Sequence, residues 1–231
     1  RMNAHTVNAS GVAWYKGDVY VGGTSQDTDS KKLATESYVN EAISSIDTGS
    51  DIDTDNLVVT NSISMGRREG TTIGTKSFAV GNNVEASGLY SHAEGYGTTA
   101  SGDYSHAEVG YTTASGFASH AEGYNTHAIG AHSHTEGANS YANNQFSHAE
   151  GKGTITNGDS SHAEGDGTKT FDRATHAEGI NTIAGNEDAS INAQGAHAEG
   201  YKTQATAEAS HSEGYQTQAT ADRSHSEGYK T

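Results

Sequence analysis

Cysteine and proline are both absent from the 231 residues, and Leu, Ile, Val and Phe together number only 27. Without cysteine there are no disulfides and no thiolate metal sites. No apolar run approaches 18 residues, so no segment reads as a membrane-spanning helix and no membrane insertion is expected. Basic residues are few: 13 Lys and Arg face 29 Asp and Glu, a formal net charge of −16. That balance argues against a nucleic-acid partner, which asks for a basic stripe. So few large apolar residues cannot build a conventional core, and the composition alone would class the chain as disordered. The exception is a repeat protein, in which small units stack and share one thin core. There is no signal peptide. The chain opens at Arg1 and stops at Thr231 part-way through a repeat, which reads as a segment of a longer protein.

What the chain has instead is glycine, 29 residues of it, and a strict period. Ser91, Ser105, Ser119, Ser133, Ser147, Ser161 and Thr175 open successive units 14 residues apart; the unit at Thr175 runs 21 residues, and Ala196, Ser210 and Ser224 resume the 14-residue step. Upstream, SFAVGNNVEASGLY (77–90) is the same unit, and SISMG (62–66) opens a 15-residue one. That makes twelve coils. Fourteen residues with two Gly-marked breaks are too short for a helical hairpin but fit two short strands and two tight turns. The expected fold is all-β: a parallel β-roll, or β-solenoid, over 62–231, with coils about 4.8 Å apart and a length on the order of 50–60 Å.

Strand alternation sorts the side chains. In S-H-A-E-G, Ser, Ala and Gly face one way and His and Glu the other. In the second strand, pairs such as Thr98 and Ala100 or Thr112 and Ala114 repeat the small-residue pattern. A narrow coil admits only small residues, so Ser, Ala, Gly and Thr are expected inside and His and Glu outside. The outward pairs are His92 and Glu94, His106 and Glu108, His120 and Glu122, His134 and Glu136, His148 and Glu150, His162 and Glu164, His176 and Glu178, His197 and Glu199, His211 and Glu213, and His225 and Glu227. In the first two coils the same places hold Ile63 and Met65, then Phe78 and Val80. A ladder that accepts both kinds of residue reads as a contact between chains. A lone roll this poor in apolar residues also needs support, so a homotrimer is expected, with Ile63, Met65, Phe78 and Val80 as apolar contacts and the His and Glu as an axial polar ladder that sets register.

The S-x-A-x-G strand at a 14-residue period resembles the head repeats of YadA-type trimeric autotransporter adhesins, SFAVG (77–81) most closely. The resemblance covers roughly 62–231 and implies a left-handed parallel β-roll, a trimer and a binding surface for host cells. The departure is the change from an apolar pair to His and Glu from residue 92 onward, which implies a polar seam. Upstream, GVAWYKGDVYVGG (11–23) alternates around Lys-Gly-Asp and reads as a β-hairpin. The stretch Lys31–Ile46 places Val39, Ile43 and Ile46 at helical steps and reads as a short coiled coil. The expected organisation is an N-terminal β segment at 1–30, a helix at 31–48, a linker at 49–61 and the roll. This order is similar to phage tail-fibre and receptor-binding proteins and to phage-tail-like bacteriocins. It implies a structural fibre segment on a virion tail or tail-like particle that serves recognition of a host cell-surface glycan or protein. The alternative is the head of a bacterial surface adhesin, located on the cell surface.

The His and Glu tempt a Ser-His-Glu hydrolase reading, but Ser91 and His92 are adjacent on a strand and leave on opposite faces. Ten near-identical copies also lack the distinct environment catalysis needs, so no enzyme is expected and no cofactor is required. Metal is the sharper alternative. In AHSHTEG (131–137), His132 and His134 stand two apart, on one face if the strand runs through both, and three chains would offer six nitrogens to a transition ion. Tyr96, Tyr124, Tyr201, Tyr215 and Tyr229 follow the Gly of the first strand, with Tyr111 one place later; they read as edge-covering aromatics or as a surface for sugars or protein. The Thr-rich second strands offer an ice-binding reading, which their Lys, Gln and His interruptions weaken. Finally, the 21-residue unit carries a seven-residue insertion near G-N-E-D-A-S-I, a natural seat for a specificity loop.

Overall fold

The computed structural model describes residues 62–231 and, before them, three short strands. Those strands, Thr6–Val7, Val12–Tyr15 and Asp18–Val21, form an antiparallel sheet in chain order, with Val12 opposite Val21 and Tyr15 opposite Asp18. They belong to a unit ending at Val58, separate from the one that begins at Val59. The helix expected at 31–48 and the linker at 49–61 lie outside the described residues.

From Ile63 the chain winds into a parallel β-solenoid of about twelve turns, built from two ladders. The first ladder carries the His-Ala-Glu-Gly strands. The second carries two-residue strands such as Thr99–Ala100 and Ile155–Thr156. Register is identity over identity: His148 pairs with His162, Ala149 with Ala163, Glu150 with Glu164 and Gly151 with Gly165. The two irregular units keep it. In the 15-residue unit Ile63, Ser64 and Met65 hold it against Phe78, Ala79 and Val80, and only beyond Met65 does the register shift, Arg67 pairing with Val84. In the 21-residue unit His176 still pairs with His197 and Ile183 with Gln204. The additional residues leave the coil as an exposed loop after Ala184, held by its own Asx turns: Asp188 Oδ1 accepts from the amide and hydroxyl of Ser190.

The interior holds what a narrow coil admits. Ala93, Ala100, Ala107, Ala114, Ala163 and their counterparts are fully buried, alternating with buried Ser and Thr; the largest buried side chain among the described residues is Val84. From Ser77 onward each opening Ser donates its hydroxyl to the carbonyl three residues before it, Ser91 to Gly88 (2.7 Å) and Ser105 to Gly102 (2.6 Å), so these polar groups are satisfied. Buried methyls contribute little transfer energy each. The continuous backbone ladder, repeated coil on coil, carries correspondingly more of the stability, in the nearest-neighbour manner of repeat proteins.

The glycine that closes the first strand departs from the expectation that it lines the interior. Gly151 is not buried and has φ +108°; a Cβ there would lie 2.2 Å from the Gly165 carbonyl oxygen of the next coil. It serves a left-handed turn and a close approach. The second glycine of each coil, such as Gly102, is buried without positive φ, and its Cβ would meet the Gly116 oxygen at 2.0 Å. The left-handed residue of that corner comes two places later and is rarely glycine: Tyr104 has φ 59°, Phe146 56° and Arg223 55°. In coil 105–118 the strand-closing glycine is replaced by Val109, which takes φ 75°. For a β-branched residue that is a strained conformation. The strands at His106–Ala107 and His120–Ala121 shrink to two residues beside it.

Candidate functional site: the histidine and glutamate ladder

Because the register places identical residues over one another, the outward residues of the first ladder form two columns. Ile63 lies over Phe78 and Phe78 over His92, while Met65 lies over Val80 and Val80 over Glu94. The apolar pairs and the His and Glu therefore share one face, as the sequence pattern predicts. Met65 is the most open of the four, at 57% exposure.

The imidazoles stack. From His92 to His211 successive ring centroids are 4.5–5.0 Å apart with interplanar angles of 1–13°, and the last pair, His211 and His225, tilts to 35°. Phe78 closes the column with an edge contact to His92 at 4.9 Å. The carboxylates approach the rings inside one chain, without a neighbouring chain to bring them together, and they do so in two ways. In the middle coils Nε2 reaches the glutamate of the preceding coil: His120 to Glu108 at 3.0 Å, His134 to Glu122 at 3.3 Å and His148 to Glu136 at 3.5 Å. Elsewhere it reaches the glutamate of its own strand, His92 to Glu94 at 3.8 Å and His176 to Glu178 at 3.7 Å. Only the first of these is a well-formed hydrogen bond. The Nε2 atoms of His92, His106, His134, His148, His162, His176, His197 and His211 are buried by the stack and have no hydrogen-bond partner.

Stacking also sets the protonation. Burial, then the neighbouring imidazoles, pushes His106 and His197 below the ordinary histidine value, against the pull of nearby glutamates. The same causes lower His148 and His162. Burial first, then Glu150, raises Glu136. At neutral pH His106, His148, His162 and His197 are thus neutral imidazoles beside carboxylates.

The other predicted residues fall elsewhere. His132 and His134 are not on one face. His132 sits in the turn with φ 57°, its ring between Phe117 (5.4 Å) and Phe146 (5.1 Å), whereas His134 stacks in the histidine column on His120 and His148. The corner breaks the alternation on which the His-x-His reading depended. Tyr201, Tyr215 and Tyr229 do stack, at 5.0 and 4.9 Å, with Lys202 and Lys230 over the end rings. Tyr96 and Tyr124 are joined by Tyr111 through edge contacts of 5.2 and 5.6 Å, which keeps that column continuous past Val109.

Two features escaped the sequence reading. Tyr90, Tyr104, Phe117, His132 and Phe146 form a second exposed aromatic column at the opposite corner. Four of these five keep the 14-residue step, which was the available signal. His127, stacked on Tyr141 at 4.6 Å, lies on the outer side of the second ladder, and burial lowers its pKa. No family model, curated protein or solved structure matches this chain. Among the described residues no helix is long and apolar enough to cross a membrane.

Proposed function

We propose that this chain is a structural segment of a homotrimeric surface-recognition fibre: a left-handed YadA-like roll within a phage-type tail fibre or receptor-binding protein. It projects and orients the element that meets a host cell-surface glycan or protein. The observation that carries the reading is the single outward face in which Ile63, Met65, Phe78 and Val80 run in register into ten His and Glu pairs, most of their rings only about a third exposed. A face of half-buried, partly unsatisfied polar groups continuous with apolar ones suits the seam of an assembly better than a free surface. Shared among three chains, it would fix their axial register. The net charge of −16 keeps nucleic acid out of the reading.

Sedimentation equilibrium of the whole chain is the test. A species of three times 24.0 kDa supports the fibre, and binding of that trimer to intact bacteria, absent for an unrelated acidic protein, supports the recognition role. A monomer at micromolar concentration overturns the proposal.

A further inference from the structure

The eight Nε2 atoms left buried and unpaired are a chemical anomaly, because a desolvated donor or acceptor without a partner is costly. Seven of the eight, all but that of His106, lie 3.3–4.0 Å from a glutamate oxygen. In His92, Glu94 and His106, and again in His106, Glu108 and His120, one ligand atom from each residue lies within 4.8 Å of the other two; the same grouping recurs at His148, Glu150 and His162 and at His162, Glu164 and His176. We infer that this column is a multi-site binding array for divalent transition ions of the zinc class, each held by two imidazole nitrogens and one carboxylate oxygen of a single chain.

The donor set selects the ion. Neutral imidazole with carboxylate suits Zn²⁺, Co²⁺, Ni²⁺ or Cu²⁺, whereas Ca²⁺ and Mg²⁺ ask for oxygen alone. Metal binding needs imidazole nitrogens free of protons. Bonds of 2.0–2.1 Å put tetrahedral ligand atoms roughly 3.4 Å apart. The present spacings are somewhat wider, and side chains about a third exposed close them by tilting two rings out of the stack. A fourth position stays open to water or to a group on another molecule.

The repeat also sets the stoichiometry. Adjacent groups share a histidine, so His106 serves the group above or the group below but not both. Of the 13 His, all but His5, His127 and His132 are in the column, leaving ten. Two per ion allow about five ions per chain, one on every second coil, which also keeps like charges about 10 Å apart. The ligands come from one chain, so the inference stands apart from the trimer.

Native mass spectrometry of the whole chain at neutral pH with Zn²⁺, and separately with Ca²⁺, tests it. The expected result is saturation at about five Zn²⁺ per chain without matching Ca²⁺ uptake, and zinc absorption spectra showing nitrogen near 2.0 Å. Phenylalanine at alternate places of the column (His106, His134, His162, His197 and His225) removes every adjacent pair. Phe78 already occupies this column, so the fold should tolerate the exchange, and zinc binding should vanish. Where that variant does not fold, His162→Phe alone should lower the count from five to four. No bound zinc, equal uptake of Ca²⁺, or a zinc count unchanged by His162→Phe would each overturn the inference.

Discussion

Two glycines of one coil separate the two roles that glycine plays in this roll. Gly151 and Gly153 both have positive φ, +108° and +67°. At Gly151 a Cβ would lie 2.2 Å from the Gly165 oxygen and 3.0 Å from two further main-chain atoms of Gly165 in the next coil's strand; at Gly153 nothing lies within 4 Å. Gly153→Ala therefore meets only the left-handed cost, about 1–2 kcal/mol, partly offset by about 0.4–1 kcal/mol from a stiffer unfolded chain. A net loss of about 1 kcal/mol follows. Gly151→Ala adds the collision. Val109 indicates how the chain yields, with φ moving to 75° and its own strand and that of the following coil shortening to two residues. Weakening one or two ladder bonds costs about 0.5–1.5 kcal/mol each, for a total of about 2–4 kcal/mol. With about 2–4 °C per kcal/mol for a chain of this size, melting followed by circular dichroism should fall by roughly 5–15 °C for Gly151→Ala and roughly 2–4 °C for Gly153→Ala. Equal shifts, or the larger one at Gly153, would refute the argument that coil-to-coil contact, rather than φ, holds the strand-closing position to glycine.

Val109→Gly should raise stability by about 1 kcal/mol, since left-handed strain of about 1–3 kcal/mol is relieved against the greater entropy of glycine; a lower denaturation midpoint would contradict this. Ala163→Leu, at a fully buried methyl in a core that holds nothing larger than Val84, should cost about 3 kcal/mol or more by overpacking. Hydrogen exchange should place the loosening in the coils that open at Ser147, Ser161 and Thr175. Deleting residues 185–191 restores a 14-residue unit and should shift the melting temperature by no more than a few degrees, the far-UV spectrum being unchanged. On pH, the lowered values of His106, His148, His162 and His197 mean that the folded state binds fewer protons than the unfolded chain. Their contribution is present above the ordinary value of 6.5 and is lost as pH falls below it. The raised Glu136 works oppositely, its contribution being present below 4.5 and lost as pH rises through its folded value. Four histidines outweigh one glutamate, so melting temperature should drop between pH 7.5 and pH 5, and a flat profile would contradict the stacked column.

The coil was legible because its physics is local and repeated. A 14-residue period, two glycine breaks and alternating small residues determine which atoms face inward, and Ala93, Ala100, Ser91 and Thr98 are buried as that pattern requires. The outward His and Glu followed from the same alternation. What did not follow was the behaviour of the corners. His132 was placed with His134 by a strand rule that stops at a left-handed residue, and φ is not written in the sequence when Tyr, Ala, His, Phe and Arg all fill that position. The second aromatic column was hidden for a related reason. Phe117 stands one place out of step, and only the stacked coils bring it between Tyr104 and His132. Nor could spacing reveal that a glutamate is drawn to the histidine of the next coil in the middle of the roll and to its own strand elsewhere. The choice turns on side-chain rotations that cost little on an open face.

A stack of near-identical coils gives length and stiffness but no address, because every coil offers the same surface as its neighbours. In the proposed fibre, specificity is expected where the repeat is broken, and apart from the 15- and 21-residue units the breaks cluster in coil 105–118. Val109 forces a strained turn, and in the same coil Tyr111 and Phe117 each step one place along the chain to keep an aromatic column unbroken on either side of the histidine face. Nine of the large apolar side chains left exposed lie between Tyr90 and Phe146, while the later coils expose few besides Ile180, Ile191, Tyr215 and Tyr229. Such a local patch on a rigid rod is the kind of surface that marks a contact. The division of labour that follows is physical. The small-residue core and the glycine columns make the rod, the histidine column is the part for which register and ion binding are proposed, and the aromatic corners of coils 77–146 are where, in the proposed fibre, replacing Tyr104 or Phe117 by alanine should change binding to intact bacteria without changing how the rod folds.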